Sequence, residues 1–282
     1  MNFKHHIFQL TYKYQLAVLF STLLALVLIL LGIQQQSILK VITYLVLAFV
    51  ISEFIYYSGN FSYAPWLIKS PQKELWIIIG TQVIVAILLI YWFMLVDHQS
   101  VSKVFKISAL VLRILFVFPV FFLIYFLAVK KYNLKQLGIL NLSRWYVCLP
   151  VIVLIGGVSY LLFPERLQFE EIIQEHTYLS LITLGFLTAA IPEEITRNLL
   201  QSRLGRVLKN KSLGWFFSSF IWALIHIPIF SFNTDDYYLA CISALGILPL
   251  GLLWGYLNQR YRSIIPSVII HGTNLWGLQN LF

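Results

Sequence analysis

The stretch QLAVLFSTLLALVLILLGI, residues 15–33, contains no charged side chain and is long enough to cross a bilayer as a helix. A hydrocarbon core about 30 Å thick is crossed by about 20 apolar residues in helical form. Windows of this kind recur along the chain, approximately at 15–33, 38–58, 75–96, 107–129, 145–163, 177–200, 212–230, 237–258 and 263–282. They are continuous apolar runs, unlike the ten-residue alternation of membrane strands. The sequence therefore predicts an all-α, polytopic membrane protein with about nine transmembrane helices.

The composition supports this interpretation. Of the 282 residues, 60% are hydrophobic and 11% are charged, and the mean hydropathy is +0.82. The formal net charge is +9, but the basic residues are spread over short loops, so we expect no nucleic-acid partner. About fifteen of the 20 basic residues fall on one side of the predicted spans, and Lys and Arg accumulate in cytoplasmic loops. We expect an integral protein of a bacterial plasma membrane, in contact with the lipid bilayer, with its N-terminus in the cytoplasm and its C-terminus outside.

Polar side chains at membrane depth concentrate in the last four spans, and they are Glu193, Glu194, His226, His271 and Asn274. An ionisable group inside a membrane helix is costly, so it is a functional-site hypothesis by default. Glu194 lies nine residues before Arg203, and His271 lies nine residues after Arg262. At the helical rise per residue, both lie about 14 Å from the cytoplasmic headgroup level. The two side chains are therefore predicted to share one depth.

Spans six and seven form a predicted hairpin around LKNKS, residues 208–212, and its centre is midway between Glu194 and His226. These two side chains are expected to face each other across the hairpin. His271 and Asn274 are spaced i, i+3, so they share a helical face. Three separate helices thus bring polar groups toward one place.

The two adjacent carboxylates are predicted to have different partners. Neighbours on a helix point about 100° apart, so only one of Glu193 and Glu194 faces a common centre squarely. Glu193 with Arg197 and Glu194 with Asn198 are i, i+4 pairs, a spacing at which helical side chains touch. Each group alone also has a structural interpretation, because a His, an Asn or an ion pair can join membrane helices. The joint pattern of a Glu pair and two His at matched depth favours a functional site.

Three segments around these residues resemble the motifs of the CAAX-protease and bacteriocin-processing (CPBP, also called Abi) intramembrane endopeptidases. The family pattern is Glu-Glu-x-x-x-Arg, then aromatic-x-x-x-His, then His-x-x-x-Asn or Asp. The corresponding segments are PEEITRNLLQSRL, FIWALIHIP and SIIPSVIIHGTNLW. Two positions are shifted by one residue. Asn198 stands where the family has Arg, directly after Arg197, and Leu275 stands at the last Asn or Asp position, directly after Asn274.

The resemblance implies a protease core over about residues 130–282 and leaves the spans in 1–129 without an assigned function. No linker interrupts the spans, so we expect one integral membrane domain over 1–282. It implies that Glu193 is the general base, that His226 helps to activate a water, and that His271 stabilises the oxyanion. The supporting residues are Glu194, Arg197, Asn198, Trp222 and Asn274. No cofactor is certain. The alternative is a divalent metal such as zinc, held by Glu193, His226 and His271, which would polarise both the water and the carbonyl.

The activity implied by the resemblance is cleavage of a membrane-associated peptide or protein, in peptide maturation or bacteriocin self-immunity. Prenylated CAAX substrates are expected only if the source is eukaryotic. The sequence has no His-Glu-x-x-His, Gly-x-Ser-Gly or Gly-x-Gly-Asp motif, so other intramembrane protease classes are not indicated. Two alternatives stay open. One is a catalytically inactive family member that acts as a membrane binding or immunity protein, and the other is a transporter with a polar site at mid-membrane.

Overall fold

A computed structural model describes residues 21–23, 42, 46, 50, 51, 53, 54, 68–97, 123–142, 145–162, 183–234 and 236–274. Every regular element within these residues is a helix, so the all-α prediction is confirmed. By length and composition, Tyr237–Tyr261 is the one helical stretch in the described part that could cross a membrane. The predicted spans at 15–33, 38–58 and 107–129 lie mostly outside the described residues. The count of nine spans therefore stays a prediction.

From α3 onward the helices follow one another with short connections. In chain order they are α1 (Pro71–Asp97), α2 (Cys148–Leu162), α3 (Ile191–Val207), α4 (Lys211–Ile225), α5 (Ile227–Thr234), α6 (Tyr237–Gly246), α7 (Leu248–Tyr261) and α8 (Ile265–Asn274). Tyr125–Val129 is a π-helical turn, Trp145–Val147 is a 3-10 turn, and Thr183–Ala190 is a π-helical segment that continues directly into α3.

Helix α3 lies at the centre of the described bundle. It packs against α1, α4, α7 and α8. Helix α4 also packs on α7, and α8 also packs on α2 and on the π-helical segment Thr183–Ala190. The core between these helices is apolar and aromatic, with Leu248, Trp254, Leu257 and Ile270 buried. The helices that carry the three motif segments are consequently neighbours.

Helices α3 and α4 approach each other closely through glycine. A Cβ at Gly214 would lie 2.6 Å from Cα of Gly205 and 2.7 Å from the carbonyl oxygen of Gln201, so only glycine fits there. Small residues permit such close contact between membrane helices. Asn210 caps α4 by accepting hydrogen bonds from two backbone N–H groups of its first turn. The hairpin predicted between spans six and seven is confirmed.

Residues 130–142, which we call the strap, contact two of the motif helices. The side-chain amide of Asn198 on α3 donates a hydrogen bond to the carbonyl oxygen of Leu137 at 2.8 Å. The backbone N–H of Ile264, just before α8, donates to the carbonyl oxygen of Gly138 at 2.9 Å. Gly138 has φ +74°, a conformation that glycine adopts at low cost. The strap therefore joins the beginning of α8 to the middle of α3.

A buried ion pair fastens α1 to α3. The guanidinium of Arg203 contacts Oε2 of Glu74 through Nη2 at 3.0 Å and Nε at 3.1 Å. The hydroxyl of Tyr132 in the strap donates to Oε1 of Glu74 at 2.8 Å. Burial raises the pKa of the Tyr132 phenol, which keeps this donor protonated. Three chain segments thus meet at one carboxylate.

Candidate active site

The two carboxylates Glu193 and Glu194 lie in the first turn of α3. Pro192 precedes them and has no N–H to continue the hydrogen bonding of the preceding turn, and the segment before it is π-helical. Such π-helical turns are frequent at functional sites.

Glu193 lies between the two predicted imidazoles. Its Oε2 accepts a hydrogen bond from Nε1 of Trp222 at 2.6 Å. The same oxygen is 4.0 Å from Nε2 of His226 and 3.7 Å from Nε2 of His271. The structure therefore brings together the three residues that the sequence nominated as catalytic, and they come from α3, α8 and the end of α4.

His226 occupies a break between two helices. Helix α4 ends at Ile225 and α5 begins at Ile227, and Pro228 in the first turn of α5 prevents one continuous helix. Nδ1 of His226 lies 2.8 Å from the carbonyl oxygen of Trp222. A carbonyl only accepts hydrogen bonds, so Nδ1 carries the hydrogen of the neutral ring. The lone pair of Nε2 is then directed to the Glu193 side.

The ring of His271 is fixed from two directions. Its Nδ1 lies 3.0 Å from Oε1 of Glu194, and its plane stacks on Trp254 with centroids 3.8 Å apart and an interplanar angle of 13°. A carboxylate is an acceptor, so Nδ1 carries a hydrogen. Nε2 of His271 is the atom that faces Glu193.

Glu194 is fully buried and has three donors. Oε1 accepts from His271 and from Nη1 of Arg197, and Oε2 accepts from Nδ2 of Asn258 at 2.9 Å. The expected contact of Arg197 with Glu193 is therefore wrong, because Arg197 pairs with Glu194 at i, i+3. Both spacings lie on one helical face, and the hydrogen bond from Trp222 directs Glu193 away from Arg197.

The two positions that depart from the family pattern have different outcomes. The expected contact of Asn198 with Glu194 is wrong, because Asn198 is directed to the strap and bonds Leu137 there. Asn274 is the last residue of α8, and its side chain lies outside the part of the chain that the structure describes. Its predicted role beside His271 stays a prediction.

Two of the four side chains at the site are partly exposed and two are buried. The side chains of Glu193 and His226 are 22% and 21% exposed, whereas those of His271 and Glu194 are 5% and 0% exposed. Within the described residues, no group of three or more His, Cys, Asp or Glu side chains is arranged to hold a metal ion.

Sequence reasoning missed three residues of this cluster. Asn258 bonds Glu194, Ser267 donates to Oδ1 of Asn258, and Trp254 stacks on His271. The signal for Asn258 was an amide at the end of an apolar predicted span, in GLLWGYLN. Ser267 and Trp254 carried no comparable signal, since a serine and a tryptophan are ordinary in membrane helices.

Part of the chain is similar to a known protein family. Residues 175–276 match the family model described as Type II CAAX prenyl endopeptidase Rce1-like, and all three motif segments start within that range. No curated protein and no solved structure gives a significant match. The resemblance seen in the motifs is thereby confirmed: the part of the chain that carries them is similar to the CAAX-protease family.

Proposed function

We propose that the chain is an intramembrane endopeptidase that hydrolyses a peptide bond of a membrane-associated peptide or protein. The family match supports this class of reaction. The observation that carries the proposal is the convergence of two imidazole Nε2 atoms, from His226 and His271, on Oε2 of Glu193 at 4.0 and 3.7 Å. These distances are too long for direct hydrogen bonds, and one water molecule can bridge groups at such separations.

In the proposed reaction the carboxylate of Glu193 takes a proton from that water, and Nε2 of His226 orients the water by accepting its other hydrogen. The water oxygen bonds to the peptide carbonyl carbon. The C–N bond then breaks, and the proton held by Glu193 passes to the leaving amine. The hydrogen bond from Trp222 keeps Oε2 of Glu193 in position during both transfers.

His271 is the proposed oxyanion donor, with Asn274 one turn further along α8. Nε2 of His271 can donate only when both ring nitrogens carry hydrogen. The carboxylate of Glu194, 3.0 Å from Nδ1, compensates the charge of that form, and the stacked indole of Trp254 also favours a cation. A donor that is held in place before the reaction is commonly the largest single contribution to catalysis of acyl transfer.

The biological role that we propose is maturation of a membrane-associated peptide or bacteriocin self-immunity, in a bacterial plasma membrane. The basic loops predict that the N-terminus is cytoplasmic, which would put the site in the cytoplasmic half of the bilayer. A divalent metal such as zinc stays an alternative to the metal-free reaction and is distinguished by a chelator.

The test uses the full chain in detergent or proteoliposomes with two substrates, a prenylated peptide ending in a CAAX sequence and an unprenylated apolar peptide. Glu193→Gln keeps the size of the side chain and an acceptor for Trp222 but removes the base. We expect its rate to fall about 10²- to 10⁴-fold, the usual contribution of a general base. Asp236→Asn is the control, because it changes a carboxylate at the α6 cap and both residues cap helices well.

Cleavage products are followed by mass spectrometry, with and without a chelator. Cleavage that survives the chelator and disappears in Glu193→Gln supports the proposal. Cleavage that is lost with the chelator and restored by zinc supports the metal version. If Glu193→Gln cleaves as fast as the wild type, the proposed base is wrong. If the wild type binds its partner but cleaves neither peptide, the chain acts as an inactive family member.

A further inference from the structure

Asn258 and Ser267 lie behind the proposed catalytic residues. Asn258 lies outside the three motif segments, and Ser267 lies within the third segment but at neither its His nor its Asn or Asp position. Asn258 is on α7 and Ser267 is on α8, and both are fully buried. Nδ2 of Asn258 donates to Oε2 of Glu194 at 2.9 Å, and the hydroxyl of Ser267 donates to Oδ1 of Asn258. Glu194 in turn bonds His271. An unbroken chain of hydrogen bonds therefore runs from Ser267 to the imidazole.

The direction of this chain follows from the chemistry of its groups. A carboxylate only accepts, so the amide of Asn258 must present Nδ2 to Glu194. Its Oδ1 is then an acceptor, and the hydroxyl of Ser267 is the donor that completes it. The same hydroxyl also lies 2.8 Å from the carbonyl oxygen of Ile264, a second acceptor. A rotation of the amide by 180° would place Oδ1 against the carboxylate and lose the hydrogen bond to Glu194.

The bond from Asn258 also determines which oxygen of Glu194 is available to His271. Oε2 of Glu194 accepts from Nδ2 of Asn258, whereas Oε1 accepts from Nδ1 of His271 and from Arg197. Without the donor from α7, the carboxylate could turn about its last bond and present either oxygen to Arg197. The direction of Nε2 of His271 at the proposed site would then be less well defined.

We propose that Asn258 and Ser267 are positioning residues, which act through Glu194 to hold His271 in the orientation that stabilises the oxyanion. This inference rests on the proposed function. The two residues touch neither the reacting water nor the substrate, and their effect is expected on the rate of the chemical step. Loss of the hydrogen-bond partners that orient metal-bound histidines commonly costs about 10- to 100-fold in activity, and we expect an effect of similar size on an imidazole that is oriented in the same way.

The test compares Asn258→Leu and Ser267→Ala with the wild type, in the full chain with the peptide that the wild type cleaves. We expect Asn258→Leu to lower kcat by about 10- to 100-fold with KM nearly unchanged. Ser267→Ala, a milder change that keeps the fold if Asn258→Leu does not, is expected to lower kcat by a smaller factor. Equal kcat values in both variants and the wild type would overturn the proposal.

Gln201→Leu is the matched control. Gln201 is a buried amide that also joins α3 to α7, by donating to the carbonyl oxygen of Gly255 at 2.9 Å, but it does not contact Glu194. A purely structural role of Asn258 predicts that Gln201→Leu and Asn258→Leu have similar effects on kcat and on the unfolding midpoint. Our proposal predicts that only Asn258→Leu changes kcat.

A double variant gives the decisive readout. In a His271→Asn background, Asn258→Leu is expected to cause no further loss of rate, because the residue through which it acts is absent. Losses that multiply in the double variant would overturn the proposal. A wild type that cleaves and depends on Glu193, with an unaffected Asn258→Leu, refutes the positioning role alone. A wild type that cleaves nothing refutes the proposed function, and the positioning role with it.

Discussion

Asn198 occupies the position where the family has Arg, and its contacts predict the effect of restoring that Arg. Asn198 is 1% exposed, and its amide bonds Leu137 in the strap. A Cβ at Gly138 would already lie 3.3 Å from its Nδ2, so the surroundings have no space for a guanidinium. We expect Asn198→Arg to lower both activity and the unfolding midpoint, and Asn198→Ala to lower them less.

The measurement is peptide cleavage together with unfolding in detergent. If Asn198→Arg were more active than the wild type, the absence of Arg at position 198 would be what limits the activity of the wild type. We expect instead that Arg197 already has the place of the family Arg, because its guanidinium pairs with Glu194 and lies 4.3 Å from the ring of Trp222.

At this scale the sequence was sufficient to predict which residues meet but not how they pair. Glu193, His226 and His271 could be predicted from depth and motif together. Whether Arg197 contacts Glu193 or Glu194 could not, because i+3 and i+4 neighbours share one face of a helix. The choice depends on Trp222 and Asn258, which come from other helices.

At the scale of elements, the closest contact is the glycine crossing of α3 and α4. A methyl group at Gly214 would lie 2.6 Å from Cα of Gly205, and backbone atoms cannot yield as a flexible side chain does. We expect Gly214→Ala to destabilise the protein by about 1–3 kcal/mol, the usual cost of overpacking. It should also reduce cleavage, because α3 and α4 carry Glu193 and Trp222.

Gly80→Ala is the control for this prediction, since a Cβ at Gly80 in α1 would meet nothing within 4 Å. Alanine favours a helix over glycine, so the control should be as stable as the wild type or more stable. Both variants are compared by their unfolding midpoints in detergent. Equal midpoints would show that α3 and α4 are less close than the structure indicates.

The helices themselves were only partly predictable. Hydropathy gave continuous spans at 212–230 and 237–258, whereas the structure divides them at His226 and Ile247. A proline follows each break, Pro228 and Pro249, and proline is tolerated in the first turn of a helix but not in its interior. The prolines were visible in the sequence, but a membrane helix can also bend at proline without ending.

At the scale of the whole molecule, the predicted division at residue 130 separates parts that are in contact. Helix α1 belongs to the N-terminal part and lies outside residues 175–276, which match the family. It nevertheless holds α3 through the buried pair of Glu74 and Arg203. Composition could not predict this contact, because it joins residues that are 129 positions apart.

The pair of Glu74 and Arg203 permits a test of this connection. Removing one partner leaves a buried charge without its counterpart, which commonly costs about 3–5 kcal/mol, whereas replacing both partners by apolar residues is often nearly neutral. We therefore expect Glu74→Leu and Arg203→Met each to lower the unfolding midpoint strongly, and the double variant to recover much of the loss. Lys73→Ala, which changes an exposed charge beside Glu74 on α1, should have an effect on the free energy of unfolding within about 0.5 kcal/mol.

Unfolding in detergent and cleavage are measured on the same samples. Additive losses in the double variant would mean that the two residues do not interact, and that α1 contributes to the family region by some other contact.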